Sequence, residues 1–98
     1  YSDTQSYTNG GLVFSYPTVM DGNYPVAFWI TAPRVTVSIQ LNFAASPTDT
    51  YTAVVTSNTD LSTIVLVYRI SDGGSVIEAN NGEVTVTLIA IEDVSSLV

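Results

Sequence analysis

The chain has 98 residues, enough for one domain with a single modest core, and carries a formal charge of −7 with only two basic residues, Arg34 and Arg69. A nucleic-acid binder needs lysines and arginines to displace counterions from phosphates, so the composition argues against that class and against anionic membrane surfaces. The absence of His, Cys and Lys removes the usual zinc sites, Ser-His-Asp and Cys-His catalysis and Schiff-base chemistry, and no stretch approaches the roughly 20 apolar residues of a membrane span.

Fourteen Val and thirteen Thr push the whole chain towards strands, because β-branched side chains suit a pleated sheet. Residues 1–10 are polar and read as a partly ordered lead-in from an upstream region, the chain having neither an initiator Met nor a leader. Residues 12–16 predict a short strand, and 17–25 a loop with Asp21-Gly22-Asn23 as its turn. Residues 26–31, with Phe28 and the single Trp29, predict a strand or extended segment ended by Pro33. Residues 34–43 give the clearest period of two: Val35, Val37, Ile39, Leu41 and Phe43 alternate with Thr36, Ser38, Gln40 and Asn42, and the fold is expected to be built around them. After a loop at 44–50 come a strand at 51–57, a turn at 58–61, and a strand at 62–70 that is apolar on both faces from Ile64 to Tyr68. Ser71-Asp72-Gly73-Gly74 predicts a hairpin turn, 75–79 a short strand, and Asn80-Asn81-Gly82 a second hairpin turn. The last strand, 83–92, alternates and then becomes apolar on both faces at Leu88–Ile91. A tail, 93–98, follows the domain expected at 11–92.

About seven strands at intervals near ten residues, with turn signals between them, predict an all-β domain, a small antiparallel β-sandwich with no helix. Only 11 % of the residues are charged, against about 25 % in typical domains, and no Lys is present to blunt sheet edges. Oligomerisation is the expected way of hiding those edges. The two-faced runs supply the candidate interface residues Ile64, Leu66, Tyr68, Ile89 and Ile91.

No cofactor and no metal site is expected. Most of the nine carboxylates fall in predicted turns, which favours local backbone hydrogen bonding over paired-carboxylate glycosidase chemistry. No Asp-x-Asp-x-Asp spacing supports a calcium loop. Trp29 is expected to plug the core. Tyr24, flanked by Asn23 and Pro25, is the better candidate for an exposed, sugar-stacking ring. If the strands simply alternate direction, Asp21, Asn23, Tyr24, Asp49 and Asp72 gather at the end of the domain away from the N-terminus. There they would form an acidic ligand-binding rim around one aromatic.

Three stretches carry a resemblance: Gly11-Leu12-Val13-Phe14, Ala32-Pro33-Arg34-Val35-Thr36-Val37-Ser38-Ile39, and Val86-Thr87-Leu88-Ile89-Ala90-Ile91-Glu92. In that order the chain resembles the C-terminal receptor-binding modules of phage tail fibres and tailspikes and the related H-type lectin-like sandwiches. It departs from the lectin-like pattern at Leu88, where an aromatic usually stands. The resemblance implies a homotrimeric, non-enzymatic virion module that attaches to a host-surface glycan or other receptor. The alternatives are a purely structural trimerisation or capping domain, and a carbohydrate-binding adhesin module of a secreted bacterial protein. No nucleic-acid partner and no membrane insertion are expected.

Overall fold

The two-faced apolar runs become the centres of the two main sheets. The computed structural model describes residues 1–93. Its strands are β1 (Ser2–Ser6), β2 (Leu12–Ser15), β3 (Thr18–Asp21), β4 (Tyr24–Ala27), β5 (Arg34–Leu41), β6 (Thr50–Asn58), β7 (Ser62–Ile70), β8 (Val76–Glu78) and β9 (Val84–Ile91). All pair antiparallel, and the described residues contain no helix. One sheet runs β1-β9-β5. In the other, β7 has β6 along one edge and shares its second edge between β2, opposite Ser62–Val65, and β8, opposite Tyr68–Ile70. A third, two-stranded unit, β3-β4, stands apart.

A single buried cluster draws on both main sheets. Val84, Val86, Leu88 and Ala90 enter from β9, Val65 and Val67 from β7, Leu12 and Phe14 from β2, and Tyr51 from β6. Tyr7, Tyr16, Trp29 and Ala79 join them from the connections, and Val35, Val37 and Ile39 of β5 pack against the edge. Each fully buried Val, Leu or Phe among them contributes roughly 1.5–3 kcal/mol towards offsetting the ordering of the chain.

Several sequence expectations need correction. Residues 1–10 are not a loose lead-in. Ser2–Ser6 pair with Ile89–Thr85 of β9, and Tyr7 is among the most buried side chains. A strand whose outward residues are Ser and Thr has no apolar periodicity, so its pairing is invisible until its neighbour is placed. Residues 34–43 do not form the centre: β5 is an edge strand, its alternation stops being buried after Ile39, and Phe43 is fully exposed. Half-buried alternation marks a strand covered on one face only, whereas β7 and β9, apolar on both faces, each have neighbours along both edges. Residues 80–82 turn between β8 and β9, which lie in different sheets, so they connect two sheets and do not close a hairpin. Within the predicted tail 93–98, only Asp93 is among the described residues.

Residues 17–25, expected as a loop, instead form most of an arm. β3 and β4 pair Thr18 with Ala27, Val19 with Val26, Met20 with Pro25 and Asp21 with Tyr24 around a two-residue turn, Gly22-Asn23. Gly22, at φ 65°, takes the first central position that a type II′ turn reserves for glycine. Every residue of the arm from Thr18 to Val26 is exposed. The molecule is accordingly elongated, 54 × 28 × 17 Å, with a radius of gyration of 15.7 Å where a compact chain of this length has about 13 Å.

Candidate functional site

The arm springs from an aromatic cluster. Tyr16 follows β2 and anchors its backbone N–H on Leu61 O. Phe28 N–H donates to Pro17 O and closes the base of the arm. Tyr1 and Tyr16 meet edge to face with ring centres 5.0 Å apart, Tyr16 and Trp29 at 5.8 Å, and Phe28 and Trp29 at 4.9 Å. Edge-to-face contacts of this kind hold the rings in fixed orientations as well as burying them. Beneath the cluster runs a neutral hydrogen-bond chain. Thr63 Oγ1 donates to Asn58 Oδ1 at 2.8 Å, which leaves Tyr16 Oη to donate to Thr63, and Asn58 Nδ2 donates to Pro33 O at 2.9 Å. This chain ties β2, β6 and β7 to the segment entering β5.

A cleft of about 420 Å³ opens at the arm's base, lined by Tyr1, Phe28, Trp29, Ile30, Ala90, Ile91 and Glu92. Its walls are largely apolar and exposed: Phe28, Ile30 and Ile91 are each at least half exposed. Trp29 is only 8 % exposed, and its indole N–H is buried without an acceptor. A volume of this size suits one or two planar rings or a bulky side chain.

The opposite end of the molecule is built differently. Glu83 is buried, and both its oxygens are occupied. Oε1 accepts from Asn80 N–H, and Oε2 accepts from Tyr51 Oη at 2.6 Å and from Arg69 Nη1 at 2.9 Å. Arg69 also pairs through Nε with Asp49 at 3.2 Å. Burial pushes Glu83 up, but the Tyr51 hydroxyl, the Asn80 N–H and Arg69 together overcome it and hold the carboxyl below its ordinary value. Nearby, Glu78 accepts from Gly10 N–H and from Tyr7 Oη, and is lowered in that order of cause. Tyr7 is pushed up to about 12, chiefly by burial. All these groups are used as partners for one another, so the arrangement is a clamp and offers no free general base.

The predicted ligand residues divide between these two ends. Asp21, Asn23 and Tyr24 sit at the tip of the arm, with Tyr24 76 % exposed. The arm leaves from the Ser62 end of β7. Asp49 and Asp72 lie at the Ile70 end, Asp49 beside Thr50, the partner of Ile70, and Asp72 in the turn that follows. The length of β7, about 27 Å, separates the two groups, so no single acidic rim forms. Asp49 is also committed to Arg69. The expected polarity is reversed for the first group: Tyr1 Oη donates to Ser15 O, so the N-terminus lies at the same end as the arm. Residues 58–61 share that end too, while 44–50, 71–74 and 80–82 lie at the other.

The predicted interface residues divide as well. Ile64, Leu66 and Tyr68 lie on the outer face of β7, with Val13 opposite Ile64 and Val54 opposite Leu66. Ile89 and Ile91 are exposed on the outer face of β9, in the other sheet. Trp29 is buried as expected, yet it also lines the cleft. Ile91, expected at an interface, lines the cleft too, whereas Tyr1, Phe28, Ile30, Ala90 and Glu92 carried no site expectation. Tyr1 and Phe28 carry no motif, and only the arm's geometry brings them together with Ile91 and Glu92. Among the described residues, no group of three or more Asp or Glu converges as metal ligands. Compared with known proteins, the chain matches no protein-family model, no curated protein and no solved structure.

Proposed function

We propose that this chain is a non-enzymatic, self-assembling attachment module in which two stacked sheets form a small β-sandwich and three copies associate about one axis. The observation that carries the reading is the exposed apolar arm standing over an aromatic cleft. A solitary two-stranded hairpin is marginal in water, and Val19, Met20, Tyr24 and Val26 leave this one with apolar surface on both faces. The strip Val13, Val54, Ile64, Leu66 and Tyr68 on one sheet and Ile89 with Ile91 on the other add two further apolar surfaces on different sides. A ring of copies uses two different patches per subunit, which this arrangement supplies, whereas a two-fold dimer uses one patch twice.

By its resemblance the module belongs to the tip of a phage tail fibre or tailspike, on the virion, where it holds the chains in register and contacts a host-surface glycan or other receptor. A chain entering at Tyr1 would turn the arm end towards the fibre and the opposite end outward. That outward end carries the fully exposed Phe43, the exposed Asp72 and Asn81, and the crossing at 79–83. Phe43 is a better stacking ring there than Tyr24, which lies at the fibre end. The test is binding of the isolated domain to host cells and to a glycan array. Phe43→Ala with Asp72→Ala abolishes binding if the outward end is the receptor face. Loss only with Tyr24→Ala and Asn23→Ala, in a variant whose assembled mass is unchanged, reverses that polarity. No binding by a correctly assembled wild-type trimer leaves the capping role, which the apolar outer strip of β7 favours.

A further inference from the structure

We propose that the arm of one copy docks on the arm end of a second copy, seating Tyr24 in the cleft formed by Tyr1, Phe28, Trp29, Ile30 and Ile91 and setting Asp21 against Arg34. The inference rests on the self-assembly reading and names the contact that would produce it.

Charge complementarity selects a second copy as the occupant. The chain has two cationic side chains. Arg69 is consumed by Asp49 and Glu83. Arg34 is exposed and makes no salt bridge among the described residues. It stands directly opposite Ile91, a wall of the cleft. On the arm, Asp21 stands directly opposite Tyr24. Directly opposed residues have Cβ atoms about 5 Å apart on the same face, so each partner presents a matched pair at the same spacing. The arm offers an aromatic beside an acid, and the cleft offers an apolar wall beside a base. Glu92, also on the cleft, would then share Arg34 with the incoming Asp21. Arg69 is already held between two acids in this way at the other end of the molecule.

Shape and backbone chemistry point the same way. The four pairs of the arm carry its tip about 15 Å from its base, so Tyr24 cannot fold back onto the cleft beneath its own arm. Pro25 sits in the middle of β4 and has no N–H, which spoils that edge for strand addition and leaves the side-chain faces as the docking surface. Val19 and Val26 share a face with Asp21 and Tyr24 and would be covered by the same contact. Trp29 supplies a buried N–H without an acceptor at the cleft wall. A small movement of the indole would let it meet the Tyr24 hydroxyl.

The test measures mass by light scattering and sedimentation from 1 to 100 µM, roughly the range in which stable small assemblies form, with emission from the single Trp29 followed on dilution. The wild type is expected to be oligomeric, with a Trp29 signal that changes as it dissociates. Tyr24→Ala, Asp21→Arg and Arg34→Asp should each weaken association at least about tenfold. The double variant Asp21→Arg with Arg34→Asp should restore it, because the swapped charges again face each other. All three positions are exposed, so circular dichroism should report the same strand content in every variant. An oligomer indifferent to all three single changes would overturn arm docking while leaving self-assembly through the sheet faces intact. Single-variant losses with no rescue in the double variant would overturn the Asp21–Arg34 pairing. A monomeric wild type at 100 µM would overturn both the inference and the self-assembly reading.

Discussion

The two ends of this molecule treat polar groups in opposite ways. At the Glu83 end, every charged group brought out of water finds a partner inside the chain: Glu83 has Tyr51, Arg69 and the Asn80 N–H, Glu78 has Tyr7 and the Gly10 N–H, and Asp49 has Arg69. At the arm end, the interior is held by a neutral chain through Tyr16, Thr63 and Asn58, while the apolar arm, the cleft and Arg34 face outward. The clamp at the first end is complete in a single copy, although Phe43 stands exposed at that end. The second has surface that a single copy does not cover. The difference separates a region that stabilises the fold from one that is available for association.

The largest effect is expected at the closed end. Glu83→Ala leaves Arg69 Nη1, the Tyr51 hydroxyl and the Asn80 N–H without their acceptor, and should lower the thermal midpoint by on the order of 10 °C in a domain of this size. Differential scanning calorimetry would measure it. A change of only a degree or two would mean the clamp is no stronger than a surface ion pair, and the contrast between the ends would fail.

Titration should sharpen the same contrast. Glu83 and Glu78 have folded-state values below their ordinary ones. The stability they contribute is therefore full above the ordinary Glu value of about 4.3 and is lost as the pH falls through the lowered values. Tyr7 is raised to about 12, so its contribution is full below the ordinary value of about 10 and is lost as the pH rises towards 12. Urea midpoints recorded against pH should be flat between these limits and fall at both sides. Glu83→Gln combined with Glu78→Gln should remove most of the acid limb.

At the open end, a mutation to the interior should cost less. Thr63→Val keeps the shape but removes the link between Tyr16 and Asn58, leaving two polar groups short of a partner, at a cost of about 1–2 kcal/mol in chemical denaturation. The smallest effect on the fold is expected from the arm itself. Met20→Ser or Val19→Thr should change the stability of an isolated copy by less than about 0.5 kcal/mol, because neither side chain packs on the core. An arm mutation that unfolded the domain would show the arm to be part of the scaffold.

The sequence alone determined the all-β class, the approximate bounds of β2, β5, β6, β7, β8 and β9, and the turn at Ser71–Gly74. Each of these follows from local chemistry: β-branched residues at a period of two, glycines where a turn needs them, and apolar residues on the side that must leave water. It also singled out Tyr24 as an exposed ring and Trp29 as a buried one. The tertiary structure alone decided which strands are neighbours. Ser2–Ser6 became a strand because β9 had a free edge, and nothing in Ser-Asp-Thr-Gln-Ser states that. The same holds for the ends. Counting alternate strand directions places loops at the right ends only if every segment is a full strand of the main sheets. The arm breaks that condition, since β3 and β4 leave the main sheets and return to the end they started from. Asp21, Asn23 and Tyr24 were thereby separated from Asp49 and Asp72, and the cleft was assembled from Tyr1, Phe28 and Ile91, residues far apart in the chain. Pattern and propensity act over a few residues, whereas pairing and packing are set by long-range burial, and only the folded chain resolves them.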